Sequence, residues 1–73
     1  MEVRLGTYRH YKNKDYYVIG CARHTESGEQ LVVYRALYGE QELWVRPKDM
    51  FLETVVVDGL ELPRFRYVGD EVD

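Results

Sequence analysis

The sequence has a single cysteine, two prolines, no apolar run long enough to cross a membrane and no strong excess of charge of either sign. One thiol, Cys21, rules out an intrachain disulfide, so the fold must hold without that staple, and a reducing, cytoplasmic location is expected. The first ten residues lack the run of about 7 to 15 apolar residues that a signal peptide needs, and nothing approaches the roughly 20 of a membrane helix. No membrane partner is expected. Ten bases face 13 acids, and three of those acids, Asp70, Glu71 and Asp73, sit at the chain end, which leaves the body close to neutral. Proteins that grip phosphate backbones nonspecifically carry a clear basic excess, because each neutralised phosphate contributes through counterion release. Nucleic acid is therefore the alternative partner and not the leading one. A glycine-rich phosphate loop, a Ser-His-Asp spacing and carboxylates paired at helical spacing are all missing. Without them a noncatalytic role is expected, with a small metal- or thiol-dependent enzyme as a further alternative.

What is present is a 73-residue chain with room for one thin core. Turn residues punctuate it at short, even intervals, which predicts successive short strands joined by tight turns. Thr7 to Lys12 is rich in β-preferring aromatics and closes at Asn13-Lys14-Asp15. Tyr16 to His24 follows, with Gly20 in its middle as the place for a bulge. Thr25-Glu26-Ser27-Gly28 is a hairpin loop, and Gln30 to Tyr38 returns as the third strand. Placing Ala22 opposite Leu31 gathers Val18, Ala22, Leu31, Val33 and Leu37 on one face, with Ile19, Cys21, Val32, Tyr34 and Ala36 on the other. Both faces are largely apolar, which predicts a sheet that curls and is covered along part of each side.

After a turn at Gly39 to Glu42 comes a short strand, Leu43 to Arg46. Pro47 has no N–H for a ladder and fixes its own φ, so Pro47 to Phe51 reads as one 3₁₀ or α turn. Asp58-Gly59 between apolar runs predicts a type I′ hairpin, since both central residues need positive φ. Pro63 then marks an edge or bulge, after which Phe65 and Tyr67 alternate with Arg64 and Arg66. The expected architecture is a mostly β, small SH3-like barrel or roll of five to six antiparallel strands with one helical turn near 47–51. Residues 1–68 form its single domain, and residues 69–73 a disordered acidic tail.

The motifs Gly6-Thr7-Tyr8-Arg9-His10-Tyr11-Lys12 and Gly20-Cys21-Ala22-Arg23-His24-Thr25-Glu26 carry a resemblance to a known family. So do Val32-Val33-Tyr34, Leu37-Tyr38-Gly39, Trp44-Val45-Arg46-Pro47, Met50-Phe51 and Pro63-Arg64-Phe65. In that order they resemble a bacterial family known only as domain of unknown function 1653, over nearly everything from Gly6 to Tyr67. The resemblance implies an SH3-like barrel and a bacterial source, and it brings no activity to any residue.

His10 and His24 are the only imidazoles and the natural candidates for metal binding or acid-base work. Two ligands do not make a zinc site, and Cys21 and His24 fall on opposite faces of an ideal strand, so no metal and no cofactor is expected. Both histidines are read as bonding a backbone carbonyl or a carboxylate at strand ends, and Cys21 as a buried apolar strand residue.

Seven tyrosines, one tryptophan and two phenylalanines are more ring than so thin a core can hide. Tyrosine and tryptophan join apolar area to a polar tip and lose little entropy on binding. Tyr8, Tyr16, Tyr34, Tyr38 and Trp44, with Arg46 as charged neighbour and His10 and His24 beside them, are the expected binding surface for a peptide or protein partner. Arg9, Arg23, Arg35, Arg46, Arg64 and Arg66 interleave with these rings, a combination that also suits single-stranded RNA. A monomer or weak homodimer is expected.

Overall fold

Turn chemistry sets the strand boundaries in the computed structural model, which describes residues 3–69. Of the expected tail at residues 69–73, Gly69 closes the last strand and residues 70–73 lie outside the described residues. β1 (Gly6–His10), β2 (Asp15–Arg23), β3 (Gln30–Ala36) and β4 (Leu43–Pro47) run as an antiparallel meander. Asn13 takes a left-handed φ of 68° in the first turn, a conformation its short amide side chain tolerates. One helical turn, α1 (Lys48–Phe51), follows Pro47 directly. A hairpin of β5 (Thr54–Val57) and β6 (Leu60–Pro63) turns on Asp58 and Gly59, whose φ of 53° and 79° are those of a type I′ turn. β7 (Phe65–Gly69) then returns to pair with β1.

The chain is mostly β, with seven strands in two antiparallel sheets, one more than the upper expectation. The extra strand arises at Pro63-Arg64, where the returning run breaks into β6 and β7. The expected barrel does not close. The larger sheet has the order β4-β3-β2-β1-β7, so among the described residues β4 and β7 are free edges, and β5 and β6 spend their ladder bonds on each other.

Ala22 does lie opposite Leu31, but the register slips between Val18 and Gly20. The extra residue, Ile19, turns Val18 to face Tyr34, so Val18 joins Val32, Tyr34 and Ala36 and not the Leu31 face to which uninterrupted alternation assigned it. Val3, Tyr8, Val18, Val32, Tyr34, Phe51 and Phe65 form the core cluster, with Tyr16 and Tyr67 packed against it. Phe51 of α1 stacks on Phe65 of β7 with ring centroids 4.2 Å apart, which ties the helical turn to the last strand.

Cys21 is exposed, against the expectation of a buried thiol. β2 is nine residues long, roughly 30 Å at strand rise. Its last three residues, with the whole loop to Gln30, lie in solvent because the strand outruns the rings that cover its first half.

Candidate functional site

Strand alternation splits the aromatic residues into two groups. Tyr8 points inward from β1 and Tyr34 from β3, at 7% and 4% exposure, so both belong to the core and neither lines a surface. Tyr8 donates its hydroxyl to the Arg4 carbonyl at 2.7 Å and meets Phe51 and Tyr67 edge-on, each at 5.3 Å. Burial raises its pKa, against the lowering pull of Arg4. Tyr34 keeps its polar tip satisfied differently, its hydroxyl accepting from Arg46 Nε at 3.3 Å. The buried ring thereby positions a charged one-residue rim on β4.

Tyr16 joins core to surface. Its ring sits edge-on to Tyr34 at 5.3 Å, Tyr38 at 5.4 Å and Phe65 at 5.6 Å, and its hydroxyl shares a short hydrogen bond with that of Tyr38. Edge-to-face pairs contribute about 0.5–1.5 kcal/mol each beyond area burial, so Tyr16 is a fixed post. Burial, then the bond to Tyr38, raises its phenol pKa well above the ordinary tyrosine value. Tyr38 follows the end of β3, where alternation no longer governs it, and is 40% exposed. Lys14, from the turn between β1 and β2, places its ammonium 4.7 Å from the Tyr38 ring centroid.

Trp44 is 50% exposed on β4. With Ala36, Tyr38, Gly39, Glu40, Gln41 and Glu42 it lines an open recess between the end of β3 and the start of β4. Two rings and two carboxylates therefore stand round one depression beside a free sheet edge. Arg46 is half-buried, its guanidinium 5.7 Å from the Phe65 ring centroid.

The histidines part company. His10 closes β1 half-buried, 5.0 Å from Phe65 and 6.4 Å from Tyr16 between ring centroids, so it adjoins the aromatic group. Its pKa is lowered, first by burial and then by Arg46, Arg64 and Lys12. His24 lies beyond the opposite end of β2 and is exposed. Neither ring nitrogen contact is to a carbonyl or carboxylate. His10 Nδ1 accepts the Lys12 N–H at 3.1 Å, and His24 Nδ1 accepts the N–H groups of Glu26 and Ser27 at 3.1 and 3.4 Å. Each histidine thus caps the loop that follows it, in the way an Asx side chain would. Among the described residues no three His, Cys, Asp or Glu side chains gather as metal ligands.

The arginines are mostly engaged within the chain. Arg9 pairs with Asp15 and Arg64 with Glu53, while Arg23 donates to the Gly28 carbonyl and Arg35 to that of Gln41. The structure therefore groups His10, Tyr16, Tyr38 and Arg46 round the buried Tyr34, puts Trp44 on the recess beside Tyr38, and leaves Tyr8 inside and His24 apart. Three contributors were missed from sequence. Phe65 is the ring on which the group converges, and its inward place in the Phe65/Tyr67 alternation was the available signal. Lys14 and the Glu40–Glu42 pair come from turns at the same end of the sheet as Tyr38, and only the strand order puts them there.

The model of the family described as a protein of unknown function, DUF1653, matches residues 6–67. Among solved structures, the crystal structure of a protein belonging to DUF1653 from Bordetella bronchiseptica superposes with a TM-score of 0.88 at 38% sequence identity, covering 97% of this chain and 94% of that one. No curated protein matches the chain.

Proposed function

The chain belongs to the DUF1653 family, and from that premise we propose that it is a noncatalytic interaction module that holds an extended segment of a protein partner. One observation carries the reading: Tyr38 and Trp44, both exposed, line one open recess together with Glu40 and Glu42. Exposed rings held in place lose little entropy when a ligand covers them, which is the property that makes Tyr and Trp dominate recognition surfaces. Tyr38 is held by Tyr16, which is itself wedged among Tyr34 and Phe65. The two carboxylates favour a basic side chain in the recess, and Tyr38 already accepts the Lys14 ammonium on its ring.

RNA is the weaker reading, because its phosphates need free cations and Arg9, Arg23, Arg35 and Arg64 have partners within the chain. Panning a random peptide library against the immobilised protein tests the proposal. The expected winners contain lysine or arginine within an extended segment, and their binding falls at least about tenfold in Tyr38→Ala and in Trp44→Ala. Failure to enrich any sequence, or binding that survives both substitutions, overturns it.

A further inference from the structure

β4 is a sheet edge of unusual composition. Leu43, Trp44 and Val45 are consecutive, apolar and 55%, 50% and 58% exposed, at the free end of the order β4-β3-β2-β1-β7. Sheet edges are normally blunted by charge, proline or a bulge, because an unpaired row of N–H and C=O groups invites another strand. Here Pro47 ends the strand but does not interrupt it.

The backbone also faces a definite way. The Ala36 N–H donates to the Glu42 carbonyl at 3.0 Å, and the residue pairs run Tyr34–Trp44 and Val32–Arg46 in the same register. By antiparallel alternation, Glu42, Trp44 and Arg46 direct their backbone polar groups to β3, while Leu43, Val45 and Pro47 direct theirs away from it. The outward ladder is therefore offered by Leu43 and Val45, and Pro47, which has no N–H, falls where the ladder would end.

Charge is antisymmetric about Trp44: Glu42, whose carbonyl still bonds β3, precedes it, and Arg46 follows it within β4. A strand laid antiparallel on β4 with Trp44 opposite its own counterpart places Glu42 against Arg46 and Leu43 against Val45. The last pairing is also the one that joins the outward-facing N–H and C=O groups. One register satisfies the backbone, the apolar pairs and the charges together, and the sequence that supplies it is the strand itself. We infer that β4 is a self-complementary docking edge, and that its partner is a second copy of this chain paired across a two-fold axis at Trp44.

Trp44 is shared with the proposed peptide recess, but this inference does not rest on that reading, since Tyr38 takes no part in the pairing. A strand of five residues buries less than a standard interface, so the dimer is reversible and concentration-dependent. Sedimentation velocity over roughly 5 to 500 μM brackets the affinities of small interfaces. The wild-type protein is expected to pass from monomer to dimer over that range. Glu42→Lys and Arg46→Glu should each weaken the dimer at least about tenfold, because each sets like charges opposite one another. An equimolar mixture of the two should form a heterodimer at concentrations where neither self-associates, since the mixed pair restores opposite charges on one side and retains them on the other.

Val45→Pro removes an outward N–H without touching the ladder to β3, and it decides the matter if Arg46→Glu, which loses the bond to Tyr34, does not fold. A wild-type protein monomeric throughout the range overturns the inference, including one that takes a basic peptide along β4 in place of a copy. A dimer indifferent to Glu42→Lys and Val45→Pro overturns it equally. Tyr38→Ala should leave the dimer unchanged while weakening peptide capture, so the two proposals fail separately.

Discussion

The two edges of the five-stranded sheet are built from similar residue types and treated in opposite ways. β7 turns Phe65 into the core, presents Arg66 to solvent, and follows a proline and an arginine tied to Glu53. β4 carries as many large apolar side chains and leaves three in a row exposed. Hydrophobicity alone does not separate these strands. What separates them is how far their large apolar side chains are covered: Phe51 of α1 stacks on Phe65 of β7 and Tyr8 meets Tyr67, whereas on β4 only Arg46 and Pro47 are partly covered and Leu43, Trp44 and Val45 stay exposed. Both edges offer a free ladder, but only β4 pairs that ladder with a row of exposed apolar side chains, which is the combination that invites another strand.

The largest expected effect comes from breaking the protected side. Phe65→Ala removes the ring stacked on Phe51 and in contact with Tyr16, Tyr34 and His10, and should cost about 3–5 kcal/mol in urea unfolding. Trp44→Ala, an aromatic truncation on the bare side, should cost less than about 1 kcal/mol, so equal losses would erase the contrast between edges. Tyr16→Phe lies between them. It keeps the ring and deletes the hydroxyl that bonds Tyr38, and a loss of about 0.5–1.5 kcal/mol is expected, with altered Tyr38 ring resonances in NMR.

Arg66→Val would make β7 resemble β4. Unfolding stability should stay within about 0.5 kcal/mol, while sedimentation should show a second route of self-association that Val45→Pro does not suppress. The smallest effect is a pH slope. His10 has its pKa lowered by burial and nearby positive charge, so the unfolded chain takes up this proton at higher pH than the folded one. The contribution is fully present above about pH 6.5 and declines as pH falls from there toward the folded value. His10→Asn keeps an acceptor for the Lys12 N–H and removes the imidazole, so its stability should vary less between about pH 7 and 5 than that of the wild type.

Local chemistry made much of the fold legible. Asp58-Gly59 could turn a hairpin in one way, Gly20 marked the bulge, Pro47 placed the helical turn, and Ala22 met Leu31 as alternation required. Closure was not legible, because it depends on which strands share ladder bonds, and a hairpin bonded to itself reads the same in sequence as one joined to a barrel. Val18 was assigned to the wrong face because a bulge reverses the phase of everything beyond it. Cys21 was placed inside because a strand's apolar content does not reveal where its covering layer stops.

The candidate site was half legible for the same reasons. Tyr34 and Tyr38 look alike in the sequence, but one sits within β3 on the phase of Val32 and Ala36, and the other just past the strand's end. Tyr38 and Trp44 were found by composition, whereas Lys14, Glu40 and Glu42 needed three-dimensional adjacency of two turns.

Arg64 occupies the break between the two sheets. Its N–H donates to the Glu53 carbonyl at 2.9 Å, its carbonyl accepts from Tyr11 at 3.0 Å, and its side chain reaches the Glu53 carboxylate at 2.9 Å. The β5–β6 hairpin is thus fastened near its base and carries no ladder bond to the meander. Its tip is accordingly the natural spot for grafting a longer loop or a fluorophore, while residue 64 works as a hinge pin that tolerates no such tinkering.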